Sequence, residues 1–263
     1  MSFKIDFYCK EKYQGRVPEP IPSTKFFPKW FSDIPLKSNR EFKYKTKEND
    51  VYQLIRGDDL INIKKCLGIT DFLNIGYLIP SWADFIFREQ DNENLYINWM
   101  EDYYKETQYN VHEESQYQTM INKPIYGHFG KIHTPWLMKT SPGVSCLVTH
   151  PVGHRNKSFT SATGVVHTDK TPMNIAWFFE WNYKIKTGMS MDNFDIKNQV
   201  VPKGEPIILI IPFYRKNFTS KINYISDEKY DSINIIQKNL TSDSMGGQCP
   251  YKNFRKTFGR LFS

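Results

Sequence analysis

The sequence predicts a mainly β fold, a single-domain β-sandwich or jelly roll of the cupin-like or β-clip-like kind. Short β-branched runs follow one another between residues 134 and 215, and Pro/Gly pairs separate them. Aromatic residues make up 16% of the 263-residue chain, a content that disordered segments do not reach. Three segments are expected: an extended arm and charged loop over 1–49, a β domain over 50–218, and a C-terminal helix with a basic aromatic tail over 219–263.

Prolines dominate the N-terminal arm. Each of the five prolines between positions 18 and 35 fixes its own φ and removes a backbone donor, which predicts an extended chain. One short helical turn is expected over Lys29–Asp33. Four aromatic side chains nearby are too apolar for water and are expected to pack as a strap: Phe26, Phe27, Trp30 and Phe31.

The middle of the chain carries the β signal. A short helix is predicted near Ile69–Ile75, then a strand over Tyr77–Arg88 that Pro80 interrupts, then a strand over 95–100. Five further strands are predicted over residues 134–140, 144–150, 162–169, 172–181 and 205–215. The run Ile207–Ile211 is apolar at every position, so both of its faces are expected to be covered. The residues predicted to be buried are Leu147, Val165, Ile175, Trp177, Ile208 and Ile210.

The last segment begins with a helix signal. Ser226 supplies a capping oxygen, and the acids Asp227 and Glu228 suit the positive end of a helix dipole. The tail over Phe254–Phe262 combines apolar rings with cations, which favours docking onto a protein and, more weakly, contact with nucleic acid.

Charge and cysteine usage narrow the class of protein. The formal net charge is +7, which favours an acidic partner or DNA. No apolar run approaches the length of a membrane span, and the first residues resemble no secretory leader. The four cysteines (Cys9, Cys66, Cys146 and Cys249) form no CxxC pair, so free thiols in a reducing cytoplasm are expected.

One local pattern suggests metal chemistry. If His167 and Asp169 lay on one strand, their side chains would point to the same face, as in the His–carboxylate sets that bind Fe(II). The third ligand would come from His150, His154 or Glu180. The alternative interpretation is a loop-edge histidine and an aspartate that satisfies turn amides. The sequence contains no GxSxG elbow, no P-loop and no GxGxxG, and Cys146 is interpreted as inert strand packing.

Four stretches in order carry a family resemblance: KKCLGITDFLNIGYLIP, PWLMKTSPGVSCLVTHPV, TGVVHTDKTPMNIAWFFEW and VVPKGEPIILIIPFYR. Together with PIPSTKFFPKWF, they resemble a family of uncharacterised proteins from marine T4-like phages, with distant bacterial relatives. The resemblance implies phage origin and a place in the host cytoplasm during infection, or in the virion, but no activity. In the family that this chain resembles, an acidic residue stands at the position of His167 and an Asp follows two positions later. The resemblance therefore implies that Asp169 is the stronger functional position.

The stretch TGVVHTD followed by VPKGEPIILII also resembles the late strands of trimeric dUTPases, which bears on β topology rather than activity. His167 stands where that family has its water-activating Asp, and the phosphate-binding Ser and glycine-rich motifs are absent. The expected function is therefore a phage assembly or interaction protein without a cofactor, acting with a protein partner or as a homo-oligomer. The alternative is a cupin-like non-haem Fe(II) oxygenase that uses His167 and Asp169, and whether the chain is an enzyme stays open.

Overall fold

A computed structural model describes residues 4–34, 42–45, 52–55, 63–91, 94–99, 109–112, 129–154, 159–181, 199–232 and 234. The chain forms two compact units. The first comprises Met1–Phe26 and Ile75–Lys216, and the second comprises Phe27–Asn74 and Asn217–Ser263. The segment boundaries predicted at residues 50 and 218 stay a prediction.

Strands are the main elements, and every strand pair in the described chain is antiparallel. They are β1 (Ile5–Tyr8), β2 (Ile21–Pro22), β3 (Phe42–Lys45), β4 (Tyr52–Ile55), β5 (Tyr77–Pro80), β6 (Phe85–Asp91), β7 (Asn94–Trp99), β8 (Tyr109–His112), β9 (Phe129–Thr140), β10 (Val144–Thr149), β11 (Phe159–Ser161), β12 (Gly164–Val166), β13 (Met173–Trp181), β14 (Gln199–Val201) and β15 (Pro206–Tyr214). The mainly β fold is confirmed, while the choice between cupin-like and β-clip-like stays a prediction.

Helices are short. The α-helices are α1 (Lys29–Asp33) and α2 (Leu67–Leu73), and 3-10 turns cover Glu11–Tyr13, Ser23–Lys25 and Ile63–Lys65. The helical turn predicted over Lys29–Asp33 is confirmed at both ends. Residues 227–232 are also helical, and the Lys229 amide donates to Ser226 Oγ at 3.4 Å, as the predicted cap requires. Among the described residues, no helix has the length and apolar character to span a membrane. The tail over Phe254–Phe262, which was predicted to dock onto a protein, lies outside the described residues.

The described strands of the first unit form three sheets. The first has the order β1-β9-β13-β11, with β8 also pairing with β9, and the second has the order β12-β10-β15-β5-β2. A third, smaller sheet has the order β14-β6-β7. In the second unit, β3 pairs with β4.

Aromatic side chains fill the core of the first unit. Trp177 of β13 is fully buried, and its ring lies 5.0 Å from that of Phe159 and 5.6 Å from that of Phe85. Ile208 and Ile210 of β15 belong to the same cluster. The predicted burial of Ile175, Trp177, Ile208 and Ile210 is confirmed.

The β15 run is covered on both faces, as predicted. Ile208 and Ile210 face the main core, whereas Leu209 and Ile211 form a second cluster with Leu78 of β5. Phe26 of the proline-rich arm packs on this second cluster, so that part of the predicted strap lies where it was expected. Leu147 is only partly buried there.

The predicted burial of Val165 is wrong. Its side chain is 54% exposed. Among the described strands, β12 pairs with β10 alone, which makes it the edge of the second sheet. Val165 lies opposite Leu147, on the face away from the main core. A β-branched run marks a strand, but it does not reveal that the strand lies at an edge.

Candidate functional site

His167 and Asp169 lie in a turn. The strand β12 ends at Val166, so the expectation that both residues share a strand face is wrong. The amides of Lys170 and Thr171 both donate to the carbonyl of His167, at 3.0 Å each, and this turn ends the strand. Thr168 points inward instead, with its hydroxyl 2.6 Å from that of Thr140.

Arg215 brings the two predicted residues together. Its Nη1 donates to Asp169 Oδ1 at 2.7 Å, and its Nη2 donates to Oδ2. Such a two-pronged pair fixes both planar groups. The Asp169 side chain is 7% exposed and that of Arg215 is 24% exposed. The hydrogen bonds from Arg215, with a smaller contribution from the Gly143 amide, hold the pKa of Asp169 well below its usual range.

The Asp169 carboxylate also anchors a neighbouring turn. The Val144 amide donates to the carbonyl of Ser141 at 3.1 Å, and Gly143 has a φ of +81°, as Gly does in a type II turn with Pro before it. The Gly143 amide donates to Asp169 Oδ2 at 2.9 Å. The Arg215 amide donates in turn to the carbonyl of Gly143 at 3.0 Å. The interpretation of Asp169 as a residue that satisfies a turn amide is therefore confirmed.

Ser145 connects Arg215 with His167. Arg215 Nη1 donates to Ser145 Oγ at 2.6 Å, and Ser145 Oγ lies 2.8 Å from His167 Nδ1. Because a guanidinium can only donate, the serine hydroxyl hydrogen is available to the imidazole nitrogen. Ser145 is fully buried. This arrangement of Arg215, Asp169, Ser145 and His167, here called the Arg215 cluster, is suited to fixing two turns.

His150 and His154 form a separate pair. The Ser161 amide donates to His150 Nδ1 at 3.1 Å, so the ring hydrogen is on Nε2, which donates to the His154 carbonyl at 3.2 Å. Burial lowers the pKa of His150. The His154 ring stacks on Phe26 with 5.4 Å between ring centres. Burial, together with the nearby His150, lowers the pKa of His154 to about 4.

The five predicted metal ligands do not meet. His150 follows β10 at one end, whereas the Arg215 cluster contacts the start of that strand, roughly 16 Å away at the usual rise per residue. Glu180 lies near the far end of β13, opposite Thr160 of β11. Among the described residues, no three His, Cys, Asp or Glu side chains are grouped as a metal ion requires.

The His167–Asp169 pair by itself does not fit Fe(II). Arg215 Nη1 lies 3.2 Å from His167 Nδ1 and 2.7 Å from Asp169 Oδ1, so a metal held by both would have to displace a cation. The iron hypothesis stays a prediction.

An apolar groove of about 510 Å³ lies between β12 and β13. Its volume lies in the range of ligand pockets. Its apolar lining includes Val148, Val165, Val166, Met173, Ile175 and Phe178. The lining also includes the polar residues His112, Lys131, Thr163 and Asn174.

Two consecutive strands open this groove by joining different sheets. β12 pairs with β10 in the second sheet, whereas β13 pairs with β9 in the first. A register shift between Asn174 and Ala176 marks a bulge in β13 beside the groove. Among the described strands, β11 pairs only with Phe179–Trp181 of β13, and the last link is the Ala162 amide donating to Phe178 at 2.8 Å. Among the strands that the structure describes, residues 173–177 and β12 therefore each have an edge with no paired strand, and residues of both line the groove.

Sequence reasoning missed Arg215, Ser145 and Lys131. Arg215 is the last residue of the predicted strand over 205–215, but nothing in its spacing from Asp169 indicates an ion pair across 46 residues. Lys131 lies three residues before Thr134, where the strand was predicted to begin, whereas β9 begins at Phe129.

No family model matches the chain, and no curated protein matches it. Similar solved structures include the dUTPase of Staphylococcus aureus phage phi11, with a TM-score of 0.32, 14% identity, and coverage of 58% of this chain and 84% of that chain. A variant dUTPase of Staphylococcus bacteriophage 80alpha has a TM-score of 0.31 and 13% identity over 59% of this chain and 86% of its own. Similarities of this size establish neither a shared fold nor a shared activity.

Proposed function

We propose that this chain is a phage interaction protein that takes an extended apolar segment of a partner protein into the β12–β13 groove. The phage origin rests on the sequence resemblance to proteins of marine T4-like phages. The binding role rests on one observation, the apolar groove between two open strand edges. On this account the protein acts in the infected host cytoplasm, or as part of the virion, in an assembly step.

The groove leaves apolar surface in water. Val165 is 54% exposed on one side and Met173 is 41% exposed on the other. Both residues line the groove. A contiguous apolar depression of this kind favours burial by a second molecule, because burial removes its surface from water.

The strand edges favour an extended polypeptide as the occupant. Each edge offers backbone donors and acceptors that another strand can pair with. Aromatic residues line the groove only towards Phe178, and its strand edges pair with backbone rather than with bases, so a protein segment suits it better than DNA. The net charge of +7 favours an acidic partner.

A peptide-display selection tests this proposal without knowledge of the partner. Random 12-residue peptides are selected on the immobilised protein, and their affinities are then measured for two variants. Val165→Arg places a cation in the groove. Val200→Arg is the matched control, because Val200 is also an exposed valine, 50% exposed, on the edge strand β14.

We expect enriched peptides with alternating apolar residues that bind the wild type and Val200→Arg but lose binding to Val165→Arg. The proposal is overturned if no peptide is enriched, or if enriched peptides bind Val165→Arg as tightly as the wild type. A concentration-dependent homodimer that Val165→Arg abolishes would instead identify a second copy of this chain as the occupant.

A further inference from the structure

One end of the groove carries a cation. Lys131 of β9 is half-buried, and its Nζ lies 5.0 Å from the centre of the Phe178 ring. The His112 ring lies 5.6 Å from the same Phe178 ring. All three residues line the groove. The groove therefore has an aliphatic end at Val165 and Met173 and a basic aromatic end at Phe178.

Lys131 takes part in no ion pair with another described residue. The register pairs Lys131 with Phe178, and Glu180 stands two residues farther along the same face of β13. Between described residues, the ion pairs are Lys4 with Asp6 and Arg215 with Asp169. A lysine beside apolar rings gains most from a carboxylate that reaches it from outside, because the surrounding low dielectric strengthens the attraction.

We infer that Lys131 selects an acidic side chain in the segment that docks in the groove. This inference rests on the proposed function and adds the chemistry of the partner. In this ion pair, one Asp or Glu of the docked segment lies beside Lys131 at the Phe178 end of the groove. The apolar side chains of the segment contact Val165 and Met173.

The fold also predicts where the acid stands. Met173 and Phe178 are five residues apart on β13, roughly 17 Å in an extended strand. Side chains of an extended segment that enter the groove alternate with those that point away. The acid is therefore expected about four or six positions from the apolar residue beside Met173.

The test uses the strongest peptide from the display selection and a series of charge changes. The protein variants are Lys131→Glu, Lys131→Met and the matched control Lys139→Glu. Lys139 lies on the same strand but is exposed and does not line the groove. The peptide variants replace the acid by glutamine or by lysine.

We expect Lys131→Glu to weaken the acidic peptide by about tenfold or more, and Lys131→Met to weaken it less. The lysine peptide should regain affinity for Lys131→Glu, and Lys139→Glu should change affinity no more than about twofold. Rising salt should weaken the wild-type pair.

The inference is overturned if the glutamine peptide binds as tightly as the acidic one, or if Lys131→Glu and Lys139→Glu behave alike. In those cases, the proposed function is still supported if the selected peptides bind the wild type but not Val165→Arg. If every selected peptide binds Val165→Arg as tightly as the wild type, both the proposed function and the inference are wrong.

Discussion

Arg215 holds Asp169 by both carboxylate oxygens, and the same carboxylate accepts the amide hydrogen of Gly143 at 2.9 Å. One side chain thus joins the end of β15, the turn after β12 and the turn between β9 and β10. The turn after β12 leads to β13, so these contacts fix the point at which the chain leaves the second sheet for the first. The Arg215 cluster therefore ties two turns to the end of β15.

Asp169→Asn and Arg215→Met should each lower the urea midpoint at pH 7, and the double variant should lower it by less than the sum. The folded-state pKa of Asp169 lies below its usual value of 3.8, so its stabilisation is complete above that pH and is lost as the pH falls through the folded pKa. The gap between wild type and Asp169→Asn should shrink as the pH falls below 3.8. Additive effects of the two substitutions would contradict the pairing.

Two β-branched residues that were both predicted to be buried differ in their exposure. Ile208 is 1% exposed and Val165 is 54% exposed. Ile208→Ala should cost about 2–5 kcal/mol of unfolding free energy, because it leaves a cavity. Val165→Ala should cost no more than about 0.5 kcal/mol. Urea unfolding measures both, and equal costs would mean that the two side chains are packed alike.

Gly130 leaves room for an aromatic ring. A Cβ at this position would lie 2.4 Å from the Phe179 ring, whereas a Cβ on Gly164 meets nothing within 4 Å. Gly130→Ala should destabilise the protein by about 1–3 kcal/mol, and the added change Phe179→Leu should recover part of the Gly130→Ala loss. Gly164→Ala is the control for the added methyl. A harmless Gly130→Ala would show that the ring lies elsewhere.

His154 should titrate near pH 4, as followed by the ring signals in NMR. Its folded pKa is lower than its usual 6.5, so the unfolded chain binds more protons between these values. The contribution of His154 to stability is therefore lost as the pH falls from 6.5 towards 4. His154→Phe keeps a ring against Phe26 and should flatten this part of the pH profile. A titration near 6.5 would contradict the buried stack.

The sequence was a good guide where local chemistry decides the structure. Prolines around Lys29–Asp33 limit that helix to one turn, and Ser226 followed by acids marks a helix start. The all-apolar run of β15 predicted two covered faces, and the structure gives each face its own cluster.

Predictions from the sequence were wrong where contacts with residues distant in the chain determine the structure. Val165 has the same β-branched signature as a core residue, but its strand lies at a sheet edge. His167 and Asp169 look like ligands two positions apart, yet a turn and Arg215, 46 residues later than Asp169, determine their geometry. The groove arises because two consecutive strands join different sheets, and hydrophobic periodicity contains no information on that choice.

Hydrogen exchange, with and without a selected peptide, tests the binding groove most directly. Open strand edges exchange their amide hydrogens quickly and become protected when another strand pairs with them. We expect the peptide to slow exchange in Gly164–Val166 of β12 and in residues 173–177 of β13, and to leave the edge strand β14 unchanged. Protection confined to other segments, or none at saturating peptide, would contradict the account.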